Sequence, residues 1–282
     1  MIRHAGQHSA GPVGLAEVGG EWIMLAGGGC AILLQLAHPS VGRGVAEHSD
    51  FASRPFDRLV GTMTYVTAVA CGDEQDVRDV RRSVGRAHAA VRGEASGDAS
   101  AYSAYDVDLQ LWVTATLYWT ATRVLERVFG AQDAASADRL YLEFAAVGTS
   151  LQLPADMWPA SRAAFAEYWA DAVARLRVLP AARDVTRELL AARGAPLWMR
   201  AIMPWPRLAT VALLPAELRS GFGLRLTERN RRRYERMMSA VAFAYPRLPL
   251  RARHLVRDRL LRRLRAQRAD SPEGERPPMD DR

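Results

Sequence analysis

Apolar residues recur along this chain at intervals of three and four, in stretches of about 12 to 25 residues, and period-two alternation is scarce. The pattern predicts helices near 22–37, 55–71, 74–92, 106–129, 136–150, 159–177, 181–192, 207–214, 227–244 and 250–267. Several boundaries carry explicit chemistry. Gly72, Gly93 and Gly130 each follow a periodic stretch, where a helix end favours glycine. Asp106 and Ser161 stand where a side-chain oxygen would cap orphan backbone N–H groups. Pro39, Pro154, Pro180, Pro204, Pro206, Pro215 and Pro246 mark joints. No Gly/Ser-rich or Pro-rich linker divides the chain, and no repeat period is visible. The reading is a single all-α helical domain over residues 21–268. A flexible arm (1–20) precedes it, and a tail rich in proline and charge (269–282) is expected to be disordered.

Composition removes chemistry more than it adds any. The chain has 282 residues, 49% apolar and 24% charged, enough for a core without staples. All 38 basic residues are arginine. Without lysine there is no P-loop phosphate clamp, no Schiff base and no Ser-Lys dyad, and arginine holds its proton too tightly to serve as a base. The two cysteines, Cys30 and Cys71, make neither a disulfide framework nor a CxxCH haem attachment, which points to a reducing compartment. Residues 1–15 contain no apolar signal core, so a cytoplasmic location is expected. The longest apolar run, 22–37, carries three consecutive glycines and falls short of the roughly 20 residues of a membrane span. It reads as a buried helix.

The net charge of +7 sits in one place. Residues 247–268 hold nine arginines and one acid, leaving 29 basic against 30 acidic groups elsewhere. Leu250, Leu255, Leu260, Leu261 and Leu264 recur there at roughly helical spacing, the mark of a basic amphipathic helix. Such a helix either packs on the body or makes peripheral contact with an anionic membrane. Nucleic acid is not expected, because no aromatic residues interleave with the arginines and no recognition motif is present.

The candidate chemistry lies in the first half of the chain. His4, His8 and His254 fall in polar stretches and read as surface residues. His88 falls on the stripe Val77, Val80, Val84, Val91, where a buried imidazole needs either a hydrogen-bond partner or a metal. Both readings stay open on pattern alone. Arg58, Thr62, Tyr65 and Val69 share a helix face, placing a guanidinium and a hydroxyl beside apolar neighbours: either a pair suited to an anionic group, or a surface arginine at a helix start and a threonine bonded back to its own turn. His38, Glu47 and His48 are a weaker candidate for a single metal. There is no GxSxG, HExxH or GxGxxG, and no ExxH pair of the kind a di-iron bundle needs.

Four ordered blocks carry a resemblance. Gln35-Leu-Ala-His-Pro-Ser-Val-Gly-Arg-Gly-Val-Ala-Glu-His-Ser-Asp-Phe51, Arg58-Leu-Val-Gly-Thr62, Gly85-Arg-Ala-His88-Ala-Ala-Val-Arg-Gly93 and the run from Tyr102 to Leu117 resemble the latex-clearing-protein (rubber oxygenase) and MpaB-type oxygenase family. The likeness is densest over 21–120 and continues more weakly to about 245. It implies a non-covalent haem b within a globin-like helical core with additional helices, and oxygenase chemistry that uses dioxygen on an apolar small molecule. It implies that His88 is the proximal iron ligand, with Arg58 and Thr62 on the other side of the haem. Gly61 stands where the rubber oxygenase has a lysine able to cap the iron, so that ligand is missing here. Two further departures are Val107 where the family often has proline and Thr114 where it often has histidine. Glu47 is the nearest acid in a matching block for the family's acid/base glutamate. The alternatives are a haem-binding sensor, carrier or peroxidase-like protein, and a haem-free helical scaffold that associates with membranes.

Overall fold

The computed structural model describes residues 11–48, 55–95, 100–192 and 203–269, and of 55–58 the backbone alone. Within these residues the chain forms fourteen α-helices and one antiparallel pair of two-residue strands, so the expected all-α class holds. In order they are α1 (Leu15–Gly20), α2 (Leu25–Ala37), α3 (Pro39–His48), α4 (Pro55–Cys71), α5 (Glu74–Ala89), α6 (Val107–Phe129) and α7 (Ala134–Thr149). Then follow α8 (Arg162–Ala174), α9 (Pro180–Ala191), α10 (Pro204–Leu213), α11 (Ala216–Gly221), α12 (Glu228–Ala244), α13 (Leu250–Arg253) and α14 (Leu255–Ala269). The strands, β1 (Arg92–Gly93) and β2 (Tyr102–Ser103), pair Arg92 with Ser103 and Gly93 with Tyr102.

Helix α6 is the pillar of the fold because it is apolar on more than one side. Leu111, Ala115, Tyr118 and Leu125 face a core shared with α4, α7 and α8. Trp112 faces a second core with α2 and α11, and Val124 and Val128 a third with α12. Asp106 caps the helix as its sequence predicts, accepting from the N–H groups of Asp108 and Leu109. Gly130, at φ 89°, ends it in a conformation that disfavours a side chain.

The apolar run at 22–37 is one turn of 3-10 helix, Trp22–Met24, leading into α2. Its glycines have a packing reason. A Cβ at Gly27 would come within 3.2 Å of Thr120 and Val124 on α6, and one at Gly29 would run into the Thr210 hydroxyl of α10. Without β-carbons there, α2 is gripped closely from both sides. No single helix among the described residues is long and apolar enough to cross a membrane.

Helix α3 is absent from the periodicity reading, because Pro39, Gly42 and Gly44 interrupt the apolar pattern. It leaves α2 at a bend of 103°. A Cβ at Gly42 would sit 2.5 Å from the Leu36 carbonyl oxygen, and one at Gly44 2.9 Å from the Tyr102 ring. Close packing, rather than helix propensity, chose these residues. Within residues 15–20, Leu15 and Val18 are buried with Tyr65 and Ala68 of α4 and Leu261 of α14.

The basic C-terminal helix packs on the body. Leu261 is buried, Leu264 lies against the same core, and Arg265 and Arg268 reach the fully buried Asp76 carboxylate at 2.6 and 2.7 Å. Just upstream, buried Glu21 takes hydrogen bonds from Arg253 and, at 2.8 Å, from the Tyr245 hydroxyl. His254, expected at the surface, is half-buried with Nε2 3.4 Å from the same Glu21 carboxylate.

Candidate functional site

Helices α4 and α5 are joined by Gly72 and Asp73 alone, so they return alongside one another as a hairpin. Asp73 starts α5 with a capping box: its carboxylate accepts from the Asp76 N–H, and that of Asp76 accepts from the Asp73 N–H. On α4, Tyr65 points inward and its hydroxyl donates to the Val147 carbonyl oxygen at 2.5 Å. Burial pushes its phenol well above the usual range, so this hydroxyl anchors the helix and is no acid. The shared face expected for Arg58, Thr62 and Tyr65 is therefore divided. Tyr65 is spent on the core, Thr62 is exposed, and the side chain of Arg58 lies outside the described residues.

His88 occupies the last turn of α5, half-buried. Its ring meets Tyr105 edge-on, with centroids 6.3 Å apart and planes at 77°. The Tyr105 hydroxyl donates at 2.8 Å to the carbonyl oxygen of Gly85, one turn before His88. Gly61 on α4 and Gly85 on α5 share a property: a β-carbon added to either would meet nothing within 4 Å. Gly61 precedes the turn by about 11 residues and Gly85 follows it by about 12, which at 1.5 Å per residue sets them at nearly the same height along the hairpin. The end of the hairpin away from its turn thus holds an imidazole, an exposed threonine hydroxyl and, on each helix, one glycine position with open space over it. Tyr105 is the residue that periodicity could not find. It lies in the short connection before the Asp106 cap, and its only signal is its place in the Tyr102–Leu117 block.

Glu47 sits elsewhere, at the exposed end of α3. Arg43 donates to it at 2.7 Å and the Tyr102 hydroxyl does so at 2.7 Å. The hydrogen bond from Arg43, then that from Tyr102, hold the Glu47 carboxyl below the usual carboxylate range. In the other direction, burial and the Glu47 carboxylate push the Tyr102 phenol up to about 12. His48 Nε2 lies 2.7 Å from the Arg92 carbonyl oxygen. These contacts tie the end of α3 to the strand pair.

His38 stands at the opposite end of α3, roughly 15 Å along the axis from His48 at 1.5 Å per residue. A single metal shared by His38, Glu47 and His48 is thereby ruled out on geometry, and among the described residues no three His, Cys, Asp or Glu side chains are placed to hold a metal ion. His38 itself is half-buried beside Trp112, ring centroids 6.4 Å apart, and burial lowers its imidazole pKa. His38 Nδ1 and Trp112 Nε1 are both buried without a hydrogen-bond partner among the described residues. A cavity of ≈ 570 Å³ between α9, α10 and residues 223–233 is lined by none of the candidate side chains.

Comparison with known proteins identifies the chain at the level of family. Residues 16–243 match the family described as ER-bound oxygenase mpaB/B'/Rubber oxygenase, catalytic domain. Uncharacterized proteins of Mycobacterium tuberculosis and Mycobacterium bovis are each 35% identical over 226 residues, covering 78% of this chain and 88% of their own length. No solved structure matches the chain.

Proposed function

The chain belongs to the mpaB/rubber oxygenase family of oxygenase catalytic domains, and on that footing we propose that it is a haem b-dependent oxygenase using dioxygen to oxidise an apolar small molecule. The observation that carries the proposal is the outer end of the α4–α5 hairpin. There a half-buried imidazole, His88, follows a helix turn whose Gly85 leaves the space over it open. The glycine leaves room for a macrocycle to approach this turn, and imidazole is a usual protein ligand for its iron. The residues present therefore fit the group.

His88 would hold the iron, with the Tyr105 ring packed at a steep angle to its imidazole. Arg58 and Thr62 of α4 would serve polar atoms of the bound group, the guanidinium attracting anionic groups and the exposed hydroxyl offering one hydrogen bond. With glycine at 61 no side chain from that position reaches into the space. Bound haem supplies the oxygen chemistry, and the protein contributes ligation, polarity and placement of the substrate. Glu47, already tied to Arg43 and Tyr102 and held ionised, is suited to accept a proton only if those bonds open.

The optical spectrum of the purified, haem-supplemented protein tests the proposal. A Soret band that exogenous imidazole shifts is expected, together with loss of most bound haem in His88→Ala at unchanged helical circular dichroism. No Soret band would favour the haem-free scaffold. An unchanged spectrum in the variant would move the ligand elsewhere, His38 being the first residue to replace. Haem binding without substrate-dependent oxygen consumption would favour a sensor or carrier.

A further inference from the structure

The segment from Phe243 to Leu255 is held to the body at its inward positions. Tyr245 is buried, its ring edge-on to Trp22 and Phe129, with its hydroxyl on Glu21. Arg253 is buried on the same carboxylate, and the Trp22 indole N–H donates to the Ala252 carbonyl oxygen at 3.2 Å. Between and beside these anchors large apolar side chains stand outward: Phe243 is 67% exposed, Leu248 40%, Leu250 60% and Leu255 52%. Large exposed apolar side chains are scarce elsewhere in the described residues, so their concentration in one short segment is a feature of the surface.

The arginines divide in the same way. Arg253, Arg257, Arg265 and Arg268 are paired with Glu21, Asp258 and the Asp73, Asp76 and Asp79 cluster. Arg247, Arg251, Arg259, Arg262 and Arg263 are exposed, and no carboxylate contacts them among the described residues. Arg247 instead lies over the Phe243 ring, 4.0 Å from its centroid. We propose that this segment, with the adjoining outer face of α14, is a peripheral docking surface for a bilayer bearing anionic headgroups. Both halves of the chemistry match that one occupant. Arginines without acid partners attract negative surface charge, and protruding Phe and Leu side chains insert among acyl chains. A groove-binding peptide would need a recess, whereas these side chains stand 40–67% clear of the surface. The proposal rests on surface residues alone and is independent of the haem assignment.

Flotation of the full chain with vesicles tests it, using phosphatidylcholine alone or with about a third phosphatidylglycerol. Binding is expected to the anionic vesicles only, and to fall steeply from 0.1 to 0.5 M salt as screening shortens the reach of the arginines to a few ångströms. Each arginine near such a surface contributes about fivefold in affinity, so Arg247→Gln/Arg251→Gln/Arg259→Gln should weaken binding on the order of a hundredfold. The matched Arg123→Gln/Arg175→Gln/Arg187→Gln, with the same change of net charge elsewhere, should keep most of the affinity. Phe243→Ser/Leu250→Ser should likewise weaken it while raising solubility. Equal binding to neutral vesicles, equal losses in the two arginine triples, or no binding at all would overturn the proposal. So would self-association of the parent chain that Phe243→Ser/Leu250→Ser abolishes, since a second copy would then be the occupant.

Discussion

The two ends of the α4–α5 hairpin are built on opposite principles. At the turn, every strong group is satisfied. Asp73 and Asp76 cap α5 reciprocally, Asp76 is fully buried under Arg265 and Arg268, and Leu261 of α14 is buried in the same core as Tyr65, Ala68 and Val80 of the hairpin. At the far end, Gly61 and Gly85 leave open space, Thr62 is exposed, and His88 has Tyr105 across its edge. The difference teaches how a helix pair serves a ligand. One end is fixed firmly to the body, so the other can leave a surface uncovered without fraying. The basic C-terminal helix is the clamp that makes this possible, and its charge is divided between the clamp and the outer surface.

Breaking the clamp has the largest expected effect. Leu261→Ala removes a buried side chain between α14 and the hairpin, and its cost is about 2–4 kcal/mol, as for other buried leucines truncated to alanine. Leu255→Ala, on the same helix but 52% exposed, is expected to leave stability within about 0.5 kcal/mol of the parent. Urea titrations of the two variants measure the contrast. Equal midpoints would show that α14 does not clamp the hairpin.

A smaller effect comes from the ion cluster. Burial alone would raise the Asp76 carboxyl, but the hydrogen bonds from Arg265, the Asp73 backbone and Arg268 together outweigh it and hold the group below its ordinary value. Its contribution to stability is therefore complete above the unfolded-state value and is lost as pH falls through the lower folded one. Asp76→Asn is expected to cost about 2 kcal/mol at pH 7, below the 3–5 kcal/mol of a fully buried pair because both arginines retain access to water. In thermal melts between pH 7 and pH 3 the variant should lose less stability than the parent. An identical pH profile would remove Asp76 from the account.

The hairpin also shows what was legible in the amino-acid order. The bounds of α4 and the cap of α6 follow directly from periodicity and from Asp106, because both are local. His88 stood out for falling on an apolar stripe, and the family blocks gave it a role that its neighbours alone left open. Long-range partners were illegible. Nothing local says that Asp76 pairs with arginines some 190 positions away, or that Tyr65 spends its hydroxyl on Val147. Helix α3 was hidden for a similar reason, since Gly42 and Gly44 serve the packing of Leu36 and Tyr102 and so erase the local signal. The 250–267 stripe predicts one helix where the chain forms two, broken at His254, and it mixes their faces: Leu261 is inward while Leu250 and Leu255 are outward.

The smallest change aims at the open end itself. In the middle of a helix, glycine is less favourable than alanine by about 0.8–1 kcal/mol, because its backbone loses more freedom on folding. At Gly85 an added methyl meets nothing within 4 Å. Gly85→Ala should therefore stabilise the haem-free protein by about 0.5–1 kcal/mol, read as a higher denaturant midpoint. The same methyl would stand over the turn that precedes His88, in the space proposed for the macrocycle, so haem affinity should fall while stability rises. At the turn end the sign reverses: a Cβ at Gly72 would lie 2.6 Å from the Ala68 carbonyl oxygen, and Gly72→Ala should destabilise. Haem titration of Gly85→Ala decides whether the glycine is kept for the ligand. An unchanged affinity in a more stable variant would mean that the macrocycle does not lie over this turn.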